Sequence, residues 1–341
     1  MSGSKKTIKL FQPNLTDKAR KAVNRVLDSD EWYSGNSSQV RLFEIKLRDY
    51  LGCREVVAVN SGTAALHLAT SLFEEGRVNV PSLSFVSTAM APKMAGHNVR
   101  LCDVDPINLG MMVPKDLVTN DIMVPVHFGG MPCEITGAEN IVEDCAHAMG
   151  SQINTKNIKC FSFHATKNLN MPNGGAIALY DMKHVDKLRA RRWCGLRQFP
   201  NGVRDCFEDG YNYVMNNISA AMGIEQLKTL DRDNDRRLEI AIEYEMRLNE
   251  FKFVKMPIST KCSYHLYWVL VENRDEFRAK MAKEGIETGI HYPPIHKLFK
   301  FYNRPLNITD RVSKQIVTLP IHPRLTNGDL DRVIKSANSS V

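Results

Sequence analysis

The sequence predicts an α/β fold in two parts, a large domain built on a mostly parallel, mixed sheet and a smaller C-terminal α+β domain. Two observations favour this prediction. Over the first 230 of the 341 residues, short apolar runs alternate with helical patterns, as in strands joined by crossover helices. From about residue 231 a long charged helix and separate strands follow. We therefore expect a large domain at residues 1–230, including an N-terminal arm at 1–35, and a small domain at 231–341.

The predicted elements of the large domain begin with a short extended segment. A helix from about Asp17 then places Ala19, Val23 and Leu27 on one side, the spacing of an amphipathic helix. A turn near Gly35 leads to a second helix. The strands and helices that follow are predicted at Val56–Val59, Ala64–Phe73, Val78–Val80, Ser87–Ala95, Val99–Val104, Ile122–Val126, Ile141–Glu143, Ile158–Phe163 and Ala176–Leu179. The strand candidates are short apolar runs, typical of strands buried on both faces.

The predicted small domain has fewer elements. They are a helix at Arg236–Glu250, a strand at Tyr264–Val271, a helix at Asp275–Glu284 and a last helix near Asp329–Ser336. An extended His-Tyr-Pro-Pro segment separates the last two helices.

Composition excludes several classes of protein. Hydrophobic residues make up 43% and charged residues 24%, ordinary values for a globular protein. No run approaches the ~20 apolar residues that span a bilayer, and no secretory signal is evident. The eight cysteines include no C-x-x-C pair, which favours reduced thiols. We therefore expect a cytoplasmic protein without a membrane partner.

The net charge of +7 fits an anionic ligand. The basic residues are scattered, apart from the runs Arg189–Arg192 and Arg236–Arg237, which we interpret as solvated helix faces. No basic stripe with interleaved aromatic residues is present, so no nucleic-acid partner is expected.

Three segments follow predicted strands and carry polar groups. In the first, Ser61, Gly62 and Thr63 open a predicted helix, where free N–H groups and the helix dipole bind phosphate. Simple helix capping by a hydroxyl is the alternative. Neither an ATP-binding P-loop nor a dinucleotide fingerprint occurs.

The second and third segments supply a carboxylate and a lysine. Asp144 ends one strand, with His147 three residues later, and Lys167 follows the next strand. Each has an ordinary alternative, namely a helix cap, a surface histidine and a solvated charge. Ligands of open α/β sheets gather at the carboxyl ends of the strands, so the three segments can meet at one edge.

Together the three segments match the needs of pyridoxal 5′-phosphate. Lys167 would form a Schiff base with the aldehyde, Asp144 would keep the pyridine nitrogen protonated, and the Ser-Gly-Thr turn would hold the phosphate. Phe85, at another strand end, would stack on the ring. A metal site made of Asp144, His147, His164 and His127 is the rival hypothesis. It lacks a recognised ligand spacing and leaves Lys167 unexplained, so we expect no metal.

The motifs resemble those of the DegT-type nucleotide-sugar aminotransferases, within the fold type I superfamily of pyridoxal-phosphate transferases that includes aspartate aminotransferase. The resemblance covers nearly the whole chain. It is carried by the segments Asn60–Ala69, Val80–Phe85, Pro125–His127, Glu143–Ala148, Phe161–Leu169, Gly210–Tyr213, Ser263–Tyr267 and Gly289–His296.

The resemblance implies a role for each site residue. Lys167 would carry the Schiff base and then shuttle protons, Asp144 would hold the pyridine nitrogen, and His147 would lie near the ring oxygen. His164 resembles the residue that members acting at the sugar's C4 place beside the lysine. The remaining residues would bind phosphate (Ser61, Gly62, Thr63 and Ser162, with Asn212 from the partner subunit), stack on the ring (Phe85) or line the sugar-nucleotide side (Tyr292, His296 and Tyr211).

The implied reaction moves an amino group from an amino acid, most simply glutamate, to a keto-sugar on a nucleoside diphosphate, at C4, in a homodimer with shared sites. Five basic residues are possible attractors of the diphosphate: Arg189, Arg191, Arg192, Arg197 and Lys297. Three alternatives stay open: amination at C3, a dehydratase-like relative, in which the lysine is usually replaced by histidine, and a non-catalytic member that binds the cofactor.

The chain departs from the family's pattern in three places. Relatives usually carry Gly-Glu-Gly-Gly where this chain has Pro172, Asn173 and two glycines. The connection at residues 131–140 is short, and ten residues barely allow a crossover helix. We expect a turn or a single helical turn there, which would leave one face of the sheet less covered. The segment 151–159 is also trimmed.

Overall fold

The structure is a computed structural model that describes residues 6–32, 38–199, 203–298 and 305–341. The turn predicted near Gly35 lies outside the described residues. Within them, no helix is both long enough and apolar enough to cross a bilayer.

A seven-stranded sheet forms the centre of the N-terminal part. Its strands are β1 (Glu55–Val59), β2 (Arg77–Pro81), β3 (Asn98–Cys102), β4 (Ile122–Met123), β5 (Asn140–Asp144), β6 (Ile158–Ser162) and β7 (Gly175–Leu179). Their order across the sheet is β1-β7-β6-β5-β4-β2-β3. Only β7 runs antiparallel to its neighbours β1 and β6. The predicted mostly parallel, mixed sheet is therefore confirmed.

Eleven α-helices occur in the described part of the chain. They are α1 (Asp17–Asp28), α2 (Ser38–Leu51), α3 (Gly62–Thr70), α4 (Ser87–Met94), α5 (Val185–Arg192), α6 (Asn217–Leu227), α7 (Leu230–Arg247), α8 (Arg274–Lys283), α9 (Ile295–Leu298), α10 (Asn307–Gln315) and α11 (Asn327–Ser340). The remaining strands are a hairpin, β8 (Leu196–Gln198) with β9 (Arg204–Cys206), and a three-stranded sheet of β10 (Val254–Lys255), β11 (Tyr267–Leu270) and β12 (Ile316–Leu319).

The predicted elements are present, but several bounds differ for local reasons. β4 stops at Met123, whereas the apolar run predicted a strand to Val126. Pro125 lacks an N–H group and so cannot donate to a ladder. A single bridge between Val126 and Asp144 continues the pairing beyond it. Helix α5, helix α6 and the β8–β9 hairpin were not predicted, because their apolar residues show no clear period.

The short connection between β4 and β5 agrees with the prediction of a turn. A single 3-10 turn at Phe128–Gly130 is followed by nonhelical chain through residue 139. Cys133 packs with Cys102, Met123 and Ile141, so the connection itself covers part of that sheet face. The connection therefore places a small apolar cluster of its own against the sheet.

The C-terminal part packs around β11, whose four residues are buried on both faces. The N-terminal arm joins it, since Ile8 pairs with Ile286. Helix α7 begins at Leu230, close to the predicted domain boundary, and the boundary itself stays a prediction.

Candidate active site

A cavity of about 350 Å³ lies at the carboxyl ends of β5 and β6 and at the N-terminus of α3. It brings Asp144 and Lys167 together with the Ser61–Thr63 turn and Ser162. This is the edge at which ligands of open α/β sheets bind. Its size lies within the range of small-molecule sites.

Asp144 is a buried carboxylate held by two hydrogen bonds. Its Oδ1 accepts from the Ala146 N–H (3.0 Å), and its Oδ2 accepts from the Thr88 hydroxyl (2.8 Å). The Thr88 hydroxyl has one proton, and it donates that proton to Asp144. In the hydrogen bond between Ser84 and Thr88 (2.8 Å), the Ser84 hydroxyl is therefore the donor. Burial raises the pKa of Asp144. No cation in the described residues forms an ion pair with it, so an N–H⁺ group from a ligand would complete its environment.

Lys167 extends into the cavity from the loop after β6. Desolvation lowers the pKa of its ε-amino group to about 8, against the opposing effect of Asp144. Its Nζ lies 3.5 Å from Nε2 of His265. At the lowered pKa, the free-amine fraction near neutral pH is far larger than for an ordinary lysine, which favours nucleophilic and proton-transfer chemistry.

The N-terminus of α3 forms a close-packed corner. Ser61 is its N-cap, and its hydroxyl accepts a hydrogen bond from the Ala64 N–H (3.1 Å). Helix capping by a hydroxyl, the alternative to phosphate binding in the sequence analysis, is therefore confirmed for Ser61. A Cβ added to Gly62 would come within 2.7 Å of the Ser162 Cβ, and one added to Gly175 within 2.3 Å of the Ser61 carbonyl oxygen. Because Gly62 and Gly175 have no side chain, the segments that carry Ser61 and Ser162 pack closely together. Their hydroxyls therefore lie near the N-terminus of α3, the positive end of the helix dipole.

His147 and Tyr292 form a second hydrogen-bonded pair in the cavity. The Gly129 N–H donates to Nδ1 of His147 (3.3 Å), and Nε2 lies 2.9 Å from the Tyr292 hydroxyl. A ring that accepts at Nδ1 carries its proton at Nε2, so His147 donates to Tyr292. Burial lowers the pKa of His147 and raises that of Tyr292, and both remain neutral.

Two other predicted residues line the cavity, and three do not. Phe85, which is 55% exposed, and His164 both line it. Tyr211 instead stacks on Tyr213. Asn212 is exposed on the chain before α6. His296 lies between Ser82 (2.7 Å) and Asp310 (3.1 Å), away from the residues that line the cavity.

Four further residues at the site were missed by sequence reasoning. Thr88 positions Asp144, while Phe11, His265 and His291 line the cavity. His265 and His291 lie in motifs that we recognised, but no residue pattern assigned them a contact. Phe11 belongs to the N-terminal arm, and only the fold brings it here.

The rival metal hypothesis fails on hydrogen bonding. Among the described residues, a possible ligand group joins His127 to Glu143 and Cys145, with no member from Asp144, His147 or His164. The Cys133 N–H donates to Nδ1 of His127 (2.9 Å). The neutral ring therefore carries its proton at Nε2, which faces Glu143 Oε2 at 3.6 Å. A protonated nitrogen does not ligate a metal, so this is a buried histidine–carboxylate pair.

The basic residues expected to attract a diphosphate are mostly occupied within the chain. Four form ion pairs: Arg189 with Glu55 (3.1 Å), Arg191 with Glu208 (2.7 Å), Arg192 with Glu44 (2.6 Å) and Lys297 with Asp310 (3.1 Å). The guanidinium of Arg197 lies against the rings of Phe199 and Phe207. The prediction of a solvated helix face is wrong for Arg191 and Arg192, whose side chains are only 18% exposed. It is also wrong for Arg237, which is buried.

Comparison with known proteins gives a consistent result. GDP-perosamine synthase of Escherichia coli O157:H7 is 30% identical over 98% of both chains. The sugar aminotransferase CalS13 of Micromonospora echinospora is 27% identical, with a TM-score of 0.91 over 98% of this chain and 100% of that one. DesV of S. venezuelae, solved in complex with a ketimine intermediate, is 27% identical, with a TM-score of 0.87 over 96% and 98% of the two chains.

The family-level match spans almost the full length. The sequence profile of the DegT/DnrJ/EryC1/StrS aminotransferase family matches residues 13–338. CalS13, described as a sugar aminotransferase, shares the mixed α/β fold of this chain. The chain therefore belongs to the DegT/DnrJ/EryC1/StrS aminotransferase family and is a sugar aminotransferase.

Proposed function

We propose that this aminotransferase uses pyridoxal 5′-phosphate to move an amino group from L-glutamate to a keto-sugar carried on a nucleoside diphosphate. The observation that carries the proposal is the presence of Lys167 and Asp144 in one cavity with the N-terminus of α3. An amine with a lowered pKa, a buried carboxylate without an ion pair and a phosphate-binding corner are the three features that this cofactor requires.

The residues present fit the cofactor. Ser61, Thr63 and Ser162, with the backbone at Gly62, would hold the phosphate at the positive end of α3. Asp144 would accept a hydrogen bond from the pyridinium nitrogen, and Phe85 would cover the ring. When bound, the cofactor supplies an electron sink for the carbon next to the transferred nitrogen.

Lys167 would perform the proton transfers. Its ε-amino group, with a pKa of about 8, can both accept and return a proton near neutral pH, and such help contributes about 10²–10⁴-fold. His147 would lie near the ring oxygen, with Tyr292 beside it. Because His147 already donates its Nε2 proton to Tyr292, the Tyr292 hydroxyl is free to donate its own proton into the cavity.

The acceptor would be a nucleoside diphosphate sugar with a ketone at C4. The name of the Escherichia coli relative contains a GDP-linked product, which supports a nucleotide-bound substrate. His164, exposed beside Thr166 in the same loop as Lys167, would act at C4, with Tyr292 on the nucleotide side. His296 and Tyr211, which do not line the cavity, are given no contact in this proposal. The cytoplasm is the proposed location.

The proposed enzyme is a homodimer with shared sites, in which Asn212 reaches the partner's phosphate corner. Subunit mixing tests this. In a hybrid of Lys167→Ala and Asn212→Ala subunits, one site would have both residues intact, so activity should recover well above that of either variant alone. Activity no higher than the average of the two parents would place Asn212 in its own subunit's site or outside both.

The reaction is tested with ¹⁵N-labelled glutamate and a panel of 3-keto and 4-keto sugar nucleotides. We expect ¹⁵N on C4 of a sugar product, located by NMR, with wild-type protein and none with Lys167→Ala. Label on C3 would correct the position of amination. No transfer to any sugar, with the cofactor bound, would contradict the proposal and favour a non-catalytic member of the family.

A further inference from the structure

A chain of buried and partly buried hydrogen bonds leads from the protein backbone to Lys167. It runs through Asn234, Asn168 and His265, whose Nε2 lies 3.5 Å from Nζ of Lys167. This separation is at the outer limit of a hydrogen bond. Asn234, Asn168 and His265 have no part in the proposed contacts to the cofactor or sugar, and their hydrogen bonds end at the lysine.

Two backbone carbonyls fix the orientation of both amide groups. Asn234 bonds through Nδ2 to the Met149 carbonyl oxygen (3.0 Å), and Asn168 bonds through Nδ2 to the Ser263 carbonyl oxygen (2.8 Å). A carbonyl oxygen only accepts, so each contacting atom must be the NH₂ group. The second N–H of the Asn168 amide donates to Asn234 Oδ1 (2.8 Å). Its own Oδ1 therefore faces His265 as an acceptor.

The orientation of Asn168 determines the tautomer of His265. Nδ1 of His265 lies 3.2 Å from Asn168 Oδ1 and must carry the proton to bond with it. In a neutral ring Nε2 is then bare. The lone pair of Nε2 consequently points towards Lys167. His147, whose ring centre is 4.5 Å from that of His265, has the opposite tautomer.

The surroundings keep His265 neutral. Its ring is buried and stacks on Phe11 at 5.7 Å. Burial lowers its pKa, and the titratable groups that act on it lower the pKa further: Lys167, His147, Arg237 and His291. A neutral His265 can accept a hydrogen bond from Lys167 in either protonation state of the amine.

We propose that His265 is a positioning residue for Lys167, because its bare Nε2 accepts one N–H of the ε-amino group. A neutral amine held in this way has its lone pair turned from the imidazole towards the cavity. The same bond stabilises the ammonium form. The inference rests on the proposed role of Lys167 as the reacting amine, but the bond itself does not require the cofactor.

The tautomer can be measured directly in the wild-type chain. In full-length, cofactor-free protein with ¹⁵N-labelled histidine, long-range ¹H–¹⁵N correlation distinguishes protonated from bare ring nitrogens. We expect His265, assigned by loss of its signals in His265→Gln, to be protonated at Nδ1 and bare at Nε2 at pH 8. Protonation at Nε2 would overturn the proposal, whatever the variants below do.

Two substitutions separate hydrogen bonding from packing. His265→Phe keeps the aromatic stack on Phe11 but lacks an acceptor. His265→Gln offers an N–H to Asn168 and an oxygen to Lys167, and so restores both bonds. The pKa of Lys167 is read from the pH dependence of its labelling by acetic anhydride, followed by peptide mass spectrometry. We expect it to fall by about one unit in His265→Phe and to return to within about 0.3 units in His265→Gln. Equal pKa values in wild type and His265→Phe would contradict the proposal.

The loaded enzyme gives an independent readout. In His265→Phe we expect kcat to fall about tenfold with KM within twofold, and kcat to recover in His265→Gln to within threefold of wild type. A change confined to KM would contradict the positioning role. Because labelling and NMR use cofactor-free protein, failure of the proposed function would leave their results intact, and failure of this inference would leave transaminase activity intact.

Discussion

The two walls of the cavity differ in origin and in electrostatic character. The sheet wall carries Asp144 at the end of β5, Lys167 in the loop after β6, and the phosphate corner at the start of α3. The opposite wall is assembled from the N-terminal arm and the C-terminal part, which supply Phe11, His265, His291 and Tyr292. The first wall holds the groups that change charge. The second holds neutral groups that orient them.

This difference has a physical basis. Groups that must meet a ligand within a fraction of an ångström are best held on rigid elements, and the carboxyl ends of neighbouring strands provide them. The opposite wall consists of aromatic and imidazole rings, of which His265 is buried and Phe11, His291 and Tyr292 are partly buried. Its histidines have lowered pKa values, that of His291 falling to about 4, so they do not compete with Lys167 for protons near neutral pH. Substitutions on the two walls should therefore affect different quantities.

The largest expected effect is that of Asp144→Asn, on the sheet wall. The amide retains a hydrogen-bond acceptor but has no negative charge to stabilise the pyridinium nitrogen. We expect kcat to fall by about 10²–10³, with thermal unfolding within a few degrees of wild type. Asp103→Asn is the matched control, since Asp103 accepts hydrogen bonds from Thr309 outside the cavity. An undiminished kcat in Asp144→Asn would contradict the proposal that the negative charge of Asp144 is needed for the reaction.

Lys167→Met should stabilise the cofactor-free protein. A lysine whose pKa falls from 10.5 to about 8 on folding binds more protons in the unfolded chain between those values, so wild-type stability rises with pH through that window. We expect Lys167→Met to raise the free energy of unfolding by roughly 2–3 kcal/mol at pH 7, and by less than about 1 kcal/mol at pH 10. Urea titrations at both pH values measure this. A pH-independent difference would contradict the lowered pKa.

Thr88→Val tests the support of the carboxylate. Valine matches the shape of threonine but removes the donor to Asp144 (2.8 Å), so the pKa of Asp144 should rise further. We expect kcat to fall about tenfold, as for the loss of one hydrogen bond to a charged group. Thr70→Val, which removes a hydroxyl bonded within α3, is the control for stability. Equal kcat values in the two variants would show that Thr88 only packs.

The smallest effect is expected on the opposite wall. Phe11→Leu keeps an apolar side chain but removes the stack on His265, which is worth about 0.5–1.5 kcal/mol. Steady-state kinetics should show a change in kcat of about threefold, with the sheet wall still able to bind the cofactor at wild-type affinity. A larger loss than in Thr88→Val would mean that the arm does more than support His265.

The two walls of the cavity also differ in how much of each could be predicted from the sequence. Asp144, Lys167 and the Ser61–Thr63 turn were recognised because each follows an apolar strand, and parallel strands bring their carboxyl ends together. The mixed sheet followed from the same apolar runs. Helix α6 could not be predicted from the spacing of its apolar residues or from helix propensity, because its small residues repeat without a clear polar face.

The opposite wall could not be predicted in the same way. Phe11 and His265 are 254 positions apart in the sequence, and no local pattern records that their rings stack. The ion pairs of Arg191 and Arg192 were missed for the same reason, because their partners Glu208 and Glu44 lie on other elements. The motifs Ser263–Tyr267 and Gly289–His296 belong to this wall, but among its residues only Tyr292 was assigned a contact from them.

Borohydride reduction tests the central claim most directly. Wild-type protein incubated with pyridoxal 5′-phosphate and reduced should carry one stoichiometric pyridoxyl-phosphate label on the peptide that contains Lys167, located by mass spectrometry. Lys183→Ala, an exposed lysine, should label like wild type, and Lys167→Ala should lose the label. Equal labelling of Lys167→Ala and wild type, or a label spread over surface lysines, would contradict the account.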